Sequence, residues 1–177
     1  LPAWSYLPSP NPYTNGRTYL VVVRATDNAA KVQGTFTPGT SSNTFTYDTT
    51  PPSAAVTKPG TGRTKFLSSE QARGTAADTV PGVLAQVQVR IKRKNPAPEE
   101  YWNPVSQNFD GVGAESAWFI ASSTEAPTWT KWYVASATIF ADMTSGQTYE
   151  ANARSRDESG TFYAASYATA TTVYDNA

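Results

Sequence analysis

Two acidic pairs, Glu99-Glu100 and Asp157-Glu158, are the adjacent carboxylates of this chain. Paired carboxylates can work as general acid and base, or as acid and nucleophile, on a glycosidic bond. Neighbours in a loop or turn more often form a solvated charge pair, and no catalytic role is expected of these. The sequence has no G-x-S-x-G nucleophile elbow and no phosphate-cradling glycine loop. It has neither histidine nor cysteine. The commonest general base, the thiolate nucleophile, the disulfide and the thiolate metal site are therefore all excluded. Asp27, Asp48, Asp110, Asp157 and Asp175 lie near turns, where hard oxygen ligands suit calcium. No dense D-x-D-x-D run gathers them, so no metal or cofactor site is assigned. Lys58 is a natural donor for a Lys-to-Asn isopeptide bond, with no acceptor identified. Of the aromatic residues, Tyr101 and Trp102 in the stretch Asn95 to Ser116 are the candidates for an exposed ligand contact on which a sugar ring could stack. Trp118 and Trp132 are expected to alternate into the core, where aromatic rings contribute large buried area. Tyr101, Trp102, Trp118, Trp129 and Trp132 together could build a stacking platform for sugars, but the core reading of the tryptophans is the favoured one.

These side chains must be positioned by β-strands. "TYLVVVRATD" (Thr18 to Asp27) places Tyr19, Val21, Val23 and Ala25 on one face. "AQVQVRIKR" (Ala85 to Arg93) separates Val87, Val89 and Ile91 from Gln86, Gln88, Arg90 and Lys92. "TYEANARSRD" (Thr148 to Asp157) gathers Tyr149, Ala151, Ala153 and Ser155. A period of two is the mark of a strand buried on one side. "WFIAS", "TKWYVAS" and "YATATTVYD" are shorter strands of the same kind. The 13 prolines and 11 glycines mostly punctuate them. No stretch carries a sustained helical period, although a helical turn near Ser69 to Arg73 is allowed. The 14 basic and 14 acidic residues cancel, which does not favour nucleic acid as a partner. The cluster Arg90 to Lys94 is expected to be a solvated strand face. No apolar run approaches the roughly 18 residues of a membrane span. Abundant threonine, serine, tyrosine and tryptophan with sparse charge suit an extracellular or cell-surface location. The chain opens at Leu1 without a signal-peptide pattern, which suggests processing or excision from something longer.

The chain also repeats itself. "GRTYLVVVRATDNAA" (Gly16 to Ala30) aligns with "GQTYEANARSRDESG" (Gly146 to Gly160) at an offset of 130. "WSY" at Trp4 echoes "WYV" at Trp132 with a slip of two residues, and "FTYDTT" at Phe45 echoes "TVYDNA" at Thr172. Residues 1 to 47 thus match the last third of the unit that spans 52 to 177. The order "RATDNAAKVQ", "YDTTPPSAAVTKP", "GTAAD", "VQVRIKR", followed by Tyr101-Trp102-Asn103 and the spaced tryptophans, resembles the immunoglobulin-like or fibronectin type III-like tandem repeats of large bacterial surface and secreted proteins. The resemblance implies an immunoglobulin-like antiparallel β-sandwich, arranged in tandem. It also implies a glycine in the first hairpin, where this chain has Ala30, and it does not account for the stretch Asn95 to Ser116. Independently of it, a tyrosine soon after a glycine turn, at Tyr19 and again at Tyr149, is placed to form the tyrosine corner of a sandwich.

These readings predict an all-β chain with three parts: residues 1–48 as the C-terminal strands of an incomplete unit, 49–53 as a proline joint, and 54–177 as a complete sandwich. Tyr19, Val21, Val23, Phe45 and Tyr47 would form the packing surface of the incomplete unit, since a lone apolar face with open strand edges invites another chain. Pro51 and Pro52 would act as a semi-rigid spacer. The function expected is that of a structural repeat unit in an extracellular filament, stalk or adhesin. Its partners would be neighbouring repeats or copies of itself, joined head-to-tail by strand complementation, and cell-surface glycans. A carbohydrate-binding accessory module of a secreted enzyme is the alternative.

Overall fold

The computed structural model describes residues 5–60, 65–67, 72–95, 97–126, 128–160 and 167–175. The chain divides into two compact units, Leu1–Thr49 and Thr50–Ala177. Both are built from β-strands in antiparallel sheets, with almost no helix.

In the N-terminal unit, β1 (Thr18–Val22) pairs with β2 (Ser42–Thr46) in a register running from Thr18↔Thr46 to Val22↔Ser42. Ahead of β1 the chain turns at Gly16, whose φ of 78° is a left-handed conformation that glycine adopts without a Cβ penalty. Gly16 N–H donates to the Tyr47 carbonyl at 2.8 Å, and Tyr47 N–H donates to the Arg17 carbonyl at 2.9 Å. The Tyr19 hydroxyl accepts from Thr14 N–H at 2.7 Å. After β1, Asp27 caps its own turn, its carboxylate accepting from Ala29 N–H at 2.9 Å and Lys31 N–H at 2.8 Å.

The C-terminal unit contains β3 (Ser53–Lys58), β4 (Lys65–Leu67), β5 (Arg73–Ala77), β6 (Leu84–Arg93), β7 (Glu100–Asn103), β8 (Asn108–Asp110), β9 (Phe119–Ile120), β10 (Ser122–Glu125), β11 (Thr128–Tyr133), β12 (Thr148–Asp157) and β13 (Ala168–Asp175). One sheet has the order β10-β11-β5-β3; the other runs β4-β13-β12-β6-β7-β8, with β9 also on β6. All pairings are antiparallel except β13 with β4. The buried cluster draws Ala76 and Trp132 from the first sheet and Val87, Val89, Ile91, Tyr149, Ala151, Ala153 and Tyr174 from the second. The alternations predicted for β6 and β12 therefore point inward as expected. Residues 69–71 of the allowed helical turn lie outside the described residues, and Arg73 opens a strand. The helix α1 (Ala137–Ala141) was not expected. It is little more than one turn, capped by the Ser136 hydroxyl and pinned by buried Ile139, too short for a helical period to register. Among the described residues, no helix is long and apolar enough to cross a membrane.

The turn and hairpin of the N-terminal unit recur here. Gly146 has φ 83°. Its N–H donates to the Tyr174 carbonyl at 2.8 Å, and Tyr174 N–H donates to the Gln147 carbonyl at 2.9 Å. The Tyr149 hydroxyl accepts from Thr144 N–H at 2.9 Å. The register from Thr148↔Val173 to Asn152↔Thr169 reproduces that of β1 and β2, offset by 130 on the first strand and 127 on the second. Gly160, with φ 92°, has its counterpart in Ala30, with φ 61°.

Ala30 thus holds a left-handed conformation that costs a side-chain-bearing residue about 1–2 kcal/mol. Ala30→Gly is expected to tighten the Asp27 turn, slowing amide exchange at Lys31 by about 2- to 5-fold after the entropy cost of glycine is subtracted. Faster exchange would contradict the strain. Gly74 poses the opposite problem. A Cβ there would lie 1.8 Å from the Ala55 carbonyl oxygen and 2.4 Å from the Trp132 ring. Gly74→Ala should lower stability by about 1–3 kcal/mol in urea denaturation, while Gly111→Ala, with open space around it, should stay within about 0.5 kcal/mol.

Candidate functional site

The face of β6 opposite the core carries Gln88, Arg90 and Lys92, and it is not a solvated charged face. The stretch 97–118 folds over it. Arg90 is buried, its Nε donating to Asn152 Oδ1 at 2.9 Å and its Nη1 to the Ala114 carbonyl at 3.1 Å. Its guanidinium lies 4.6 Å from the Trp118 ring centre, 4.7 Å from Tyr167 and 5.2 Å from Tyr101. Arg154 approaches the same Trp118 ring at 4.2 Å and donates to Glu115 at 3.1 Å. Lys92 pairs with Glu99 at 2.8 Å and Glu150 at 3.4 Å, and Lys94 with Glu150 at 3.3 Å. Burial opposes the charge of Lys92, but its hydrogen bond to Glu99 and the two carboxylate charges prevail and raise its pKa. The same balance runs in reverse at Glu150. Burial favours its neutral form, yet the Asn152 hydrogen bond and the two lysines hold its pKa below the ordinary 4.5. The basic cluster is thus met by carboxylates and ring faces of its own unit.

This face also corrects the reading of the tryptophans. Trp102 was expected to be exposed but is only 3% accessible. β7 and β8 form a hairpin whose inward face sends Trp102 edge-on to Phe109 at 5.5 Å, with Phe109 in turn 5.4 Å from Tyr149. Tyr101, on the outward side of β7, is half-buried beside Arg90 and Lys92. Trp118 is buried, as expected, but among cations on the outer face and outside the main apolar cluster. Trp132 is in that cluster, its indole N–H donating to the Thr75 carbonyl at 3.1 Å.

The carboxylate pairs do not face a common space. Glu99 pairs with Lys92, and Glu100 with Arg93. Asp157 is buried, accepting from the Ser159 hydroxyl at 2.7 Å, whereas Glu158 is exposed. Asp110 accepts from Ser106 and Asn103 of the β7–β8 hairpin and from Val112 N–H just beyond β8, and these hydrogen bonds lower its pKa. Asp157 and Asp78 bring carboxylate oxygens within 4.8 Å of each other, the nearest approach in this unit to the oxygen cluster considered for calcium. Asp48 and Asp175 are half-buried. Lys58 ends β3 opposite Arg73. Pro51 is exposed and Pro52 buried.

Two concave surfaces among the described residues carry aromatic or apolar residues singled out from the sequence. One is a cleft of about 410 Å³ in the C-terminal unit, walled by half-buried Trp129 together with Ala76, Val83 and Leu84, with Asp78 and Glu158 at its edge. The other is a groove of about 330 Å³ in the N-terminal unit, lined by Val21, Val23, Phe45 and the 39–43 turn. It continues an aromatic group in which Tyr13 touches Tyr19 at 4.9 Å, Phe45 at 5.3 Å and Tyr47 at 5.5 Å. The residues singled out from the sequence, Tyr19, Val21, Val23, Phe45 and Tyr47, are therefore brought together on one face. Their counterparts in the C-terminal unit are Tyr149, Ala151, Ala153, Thr172 and Tyr174, all buried. Val21 is 37% exposed where Ala151 is 5% exposed.

The Glu150 cluster has a pH signature. A carboxylate with a depressed folded pKa stabilises fully above its unfolded value, and the contribution is lost as pH falls through the folded pKa. The Tm difference between wild type and Glu150→Gln is therefore expected to be largest near neutrality and to shrink below pH 4.5; a constant difference down to pH 2 would contradict the ion pairs. Comparison of the chain with protein-family models, with curated proteins and with solved structures finds no match in any of the three.

Proposed function

We propose that this chain is a structural, non-enzymatic repeat unit of an extracellular filament, stalk or adhesin, built from immunoglobulin-like β-sandwiches in tandem, with the N-terminal one incomplete. The observation that carries the reading is that one module is built twice. The glycine turn, the tyrosine hydroxyl bonded five residues upstream, and the hairpin register all recur. Repetition of a supersecondary unit is the signature of arrays.

The path of the chain through the C-terminal unit supports the same reading. It enters at Ser53, opposite Ala77, at the end of the unit where Leu84 pairs with Asp157. It leaves at Asp175, beyond the Thr148↔Val173 pair. Entry and exit are separated by the length of β12, roughly 30 Å at strand rise. Tension applied through the two ends runs along the strands and loads their ladders in shear.

Single-molecule pulling tests this. Stretching the chain between its ends should give a discrete unfolding event for the C-terminal unit, releasing about 40 nm of contour at the extended-chain spacing. A featureless extension would sink the reading. A carbohydrate-binding module is the second reading, and it now rests on Trp129 at the 410 Å³ cleft, since Trp102 is buried. Saturable retardation by a soluble polysaccharide in affinity electrophoresis, lost in Trp129→Ala, would favour it.

A further inference from the structure

Two irregularities of the chain make the cleft at Trp129. On β11, strict alternation would set Trp129 and Trp132 on opposite faces, yet both reach the apolar cluster. Neighbouring pairs of the β10–β11 ladder are Ser123↔Trp132 and Glu125↔Thr128, so residues 129–131 stand opposite Thr124 alone. A bulge of this kind re-aims a side chain, and it makes half-buried Trp129 part of the cleft wall. The second irregularity is the turn 78–83 that follows β5. Gly82 N–H donates to the Thr79 carbonyl at 2.8 Å, and the Asp78 carboxylate accepts from Thr79 N–H at 2.8 Å. That carboxylate also rests against Gly82, where a Cβ would come within 2.3 Å of Asp78 Oδ2. A residue without a Cβ permits the approach, and Asp78 is thereby fixed in the wall. Glu158 is placed by the 2.9 Å bond from its N–H to the Val83 carbonyl, and its side chain is exposed.

The charge of this cleft has one sign. Asp78 and Glu158 line it, and among the described residues no lysine or arginine does. Buried Asp157 brings a carboxylate oxygen within 4.8 Å of Asp78. The lining hydroxyls of Thr128 and Thr130 donate to Glu125, so their protons are used within the β10–β11 hairpin. The rest of the wall is apolar, from Ala76, Val83 and Leu84. Val83 is 53% exposed, and Val80 on the same turn is 90% exposed. Carboxylates between low-dielectric walls focus the field and concentrate counter-ions, and an indole is the best aromatic face for a cation. At about 410 Å³ the cleft is of a size that takes a small organic molecule. We propose that it binds an organic ammonium ion with an apolar body, the cation meeting Trp129 and Glu158 and the body lying along Val83 and Leu84. A neutral sugar would bring no countercharge to the carboxylates, and a bare inorganic cation would leave the apolar wall uncovered. A repeat unit of an array can carry such a site without any change in its mechanical role.

An amide-resolved NMR titration of residues 1–177 at low ionic strength, where surface charges are least screened, tests this with two probes. Phenethylamine is an ammonium ion at neutral pH, and phenethyl alcohol has the same body without the charge. Phenethylamine should shift the Gly82, Val83 and Trp129 amides saturably, and phenethyl alcohol should bind about 5- to 10-fold more weakly. Glu158→Gln, a neutral isostere at an exposed position, should keep the fold and weaken the amine by about 2- to 5-fold. Trp129→Ala should abolish saturation. Equal binding of the amine and the alcohol would overturn the proposal. So would the absence of saturable shifts at these amides, or an affinity for the amine that neither substitution changes. Saturable shifts of the same amides by a soluble polysaccharide, with none from phenethylamine, would overturn it in favour of a sugar.

Discussion

Strand β12 is bonded on both edges, to β6 and to β13, and the rest of the C-terminal unit is arranged to make that possible. A buried backbone N–H or carbonyl without a partner costs as much as a lost hydrogen bond, so a strand can enter a core only when both ladders are made. β12 meets that condition over its full length against β6. One of its faces, Tyr149, Ala151 and Ala153, can then be buried with its backbone groups paired, while Ser155 on the same face keeps a buried hydroxyl without a hydrogen-bond partner. The tyrosine corner fixes where the strand begins. The Tyr149 hydroxyl ties down Thr144, and the left-handed Gly146 lets the chain reverse tightly enough to start the ladder.

The opposite face of β12 shows what happens when polar residues are buried under a second layer. Asn152 is buried, and its amide is satisfied by Arg90, Glu150 and Thr169. Arg90 is buried in turn, a state that is destabilising unless the charge is hydrogen-bonded and balanced. Asn152, the Ala114 carbonyl and three aromatic rings supply that balance, each ring contact contributing about 0.5–2 kcal/mol. The stretch 97–118 therefore serves both layers. Its hairpin gives Trp102 and Phe109 to the core, and the segment that follows lays Glu115 and Trp118 over the cations. Its aromatic residues are packed parts of the unit.

Much of this was legible in the sequence because β-structure writes itself locally. Period-two alternation marked β6 and β12, and glycine before Thr-Tyr marked both corners. The departure from glycine at Ala30 was visible as a mismatch in the repeat and appears as a left-handed alanine. What was not legible depended on contacts distant in sequence. In β7, Trp102 and Tyr101 differ only by which face each occupies, and a four-residue strand in an unassigned stretch carries no alternation long enough to say which is inward. Trp118 was correctly expected to be buried, but the layer that buries it is decided by Arg90 and Arg154, which reach it from two different strands. The cleft at Trp129 has no local signature, being the gap where several chain segments end together.

The sequence by itself determined the local geometry: strands, their inward faces, the two glycine turns and the recurrence of one hairpin. These follow from steric limits on φ and ψ and from the period of the pleat, which act over a few residues. Only the tertiary structure decided which of two like faces is covered. Tyr19, Val21 and Val23 have the same pattern as Tyr149, Ala151 and Ala153, yet in the first set Val21 is exposed and Tyr19 and Val23 are half-buried, whereas the second set is buried. The reason is physical. Burial is a property of what comes to lie against a face, and among the described residues β6 and β13 flank β12 and β3 packs on it, while no strand pairs with the outer edge of β1.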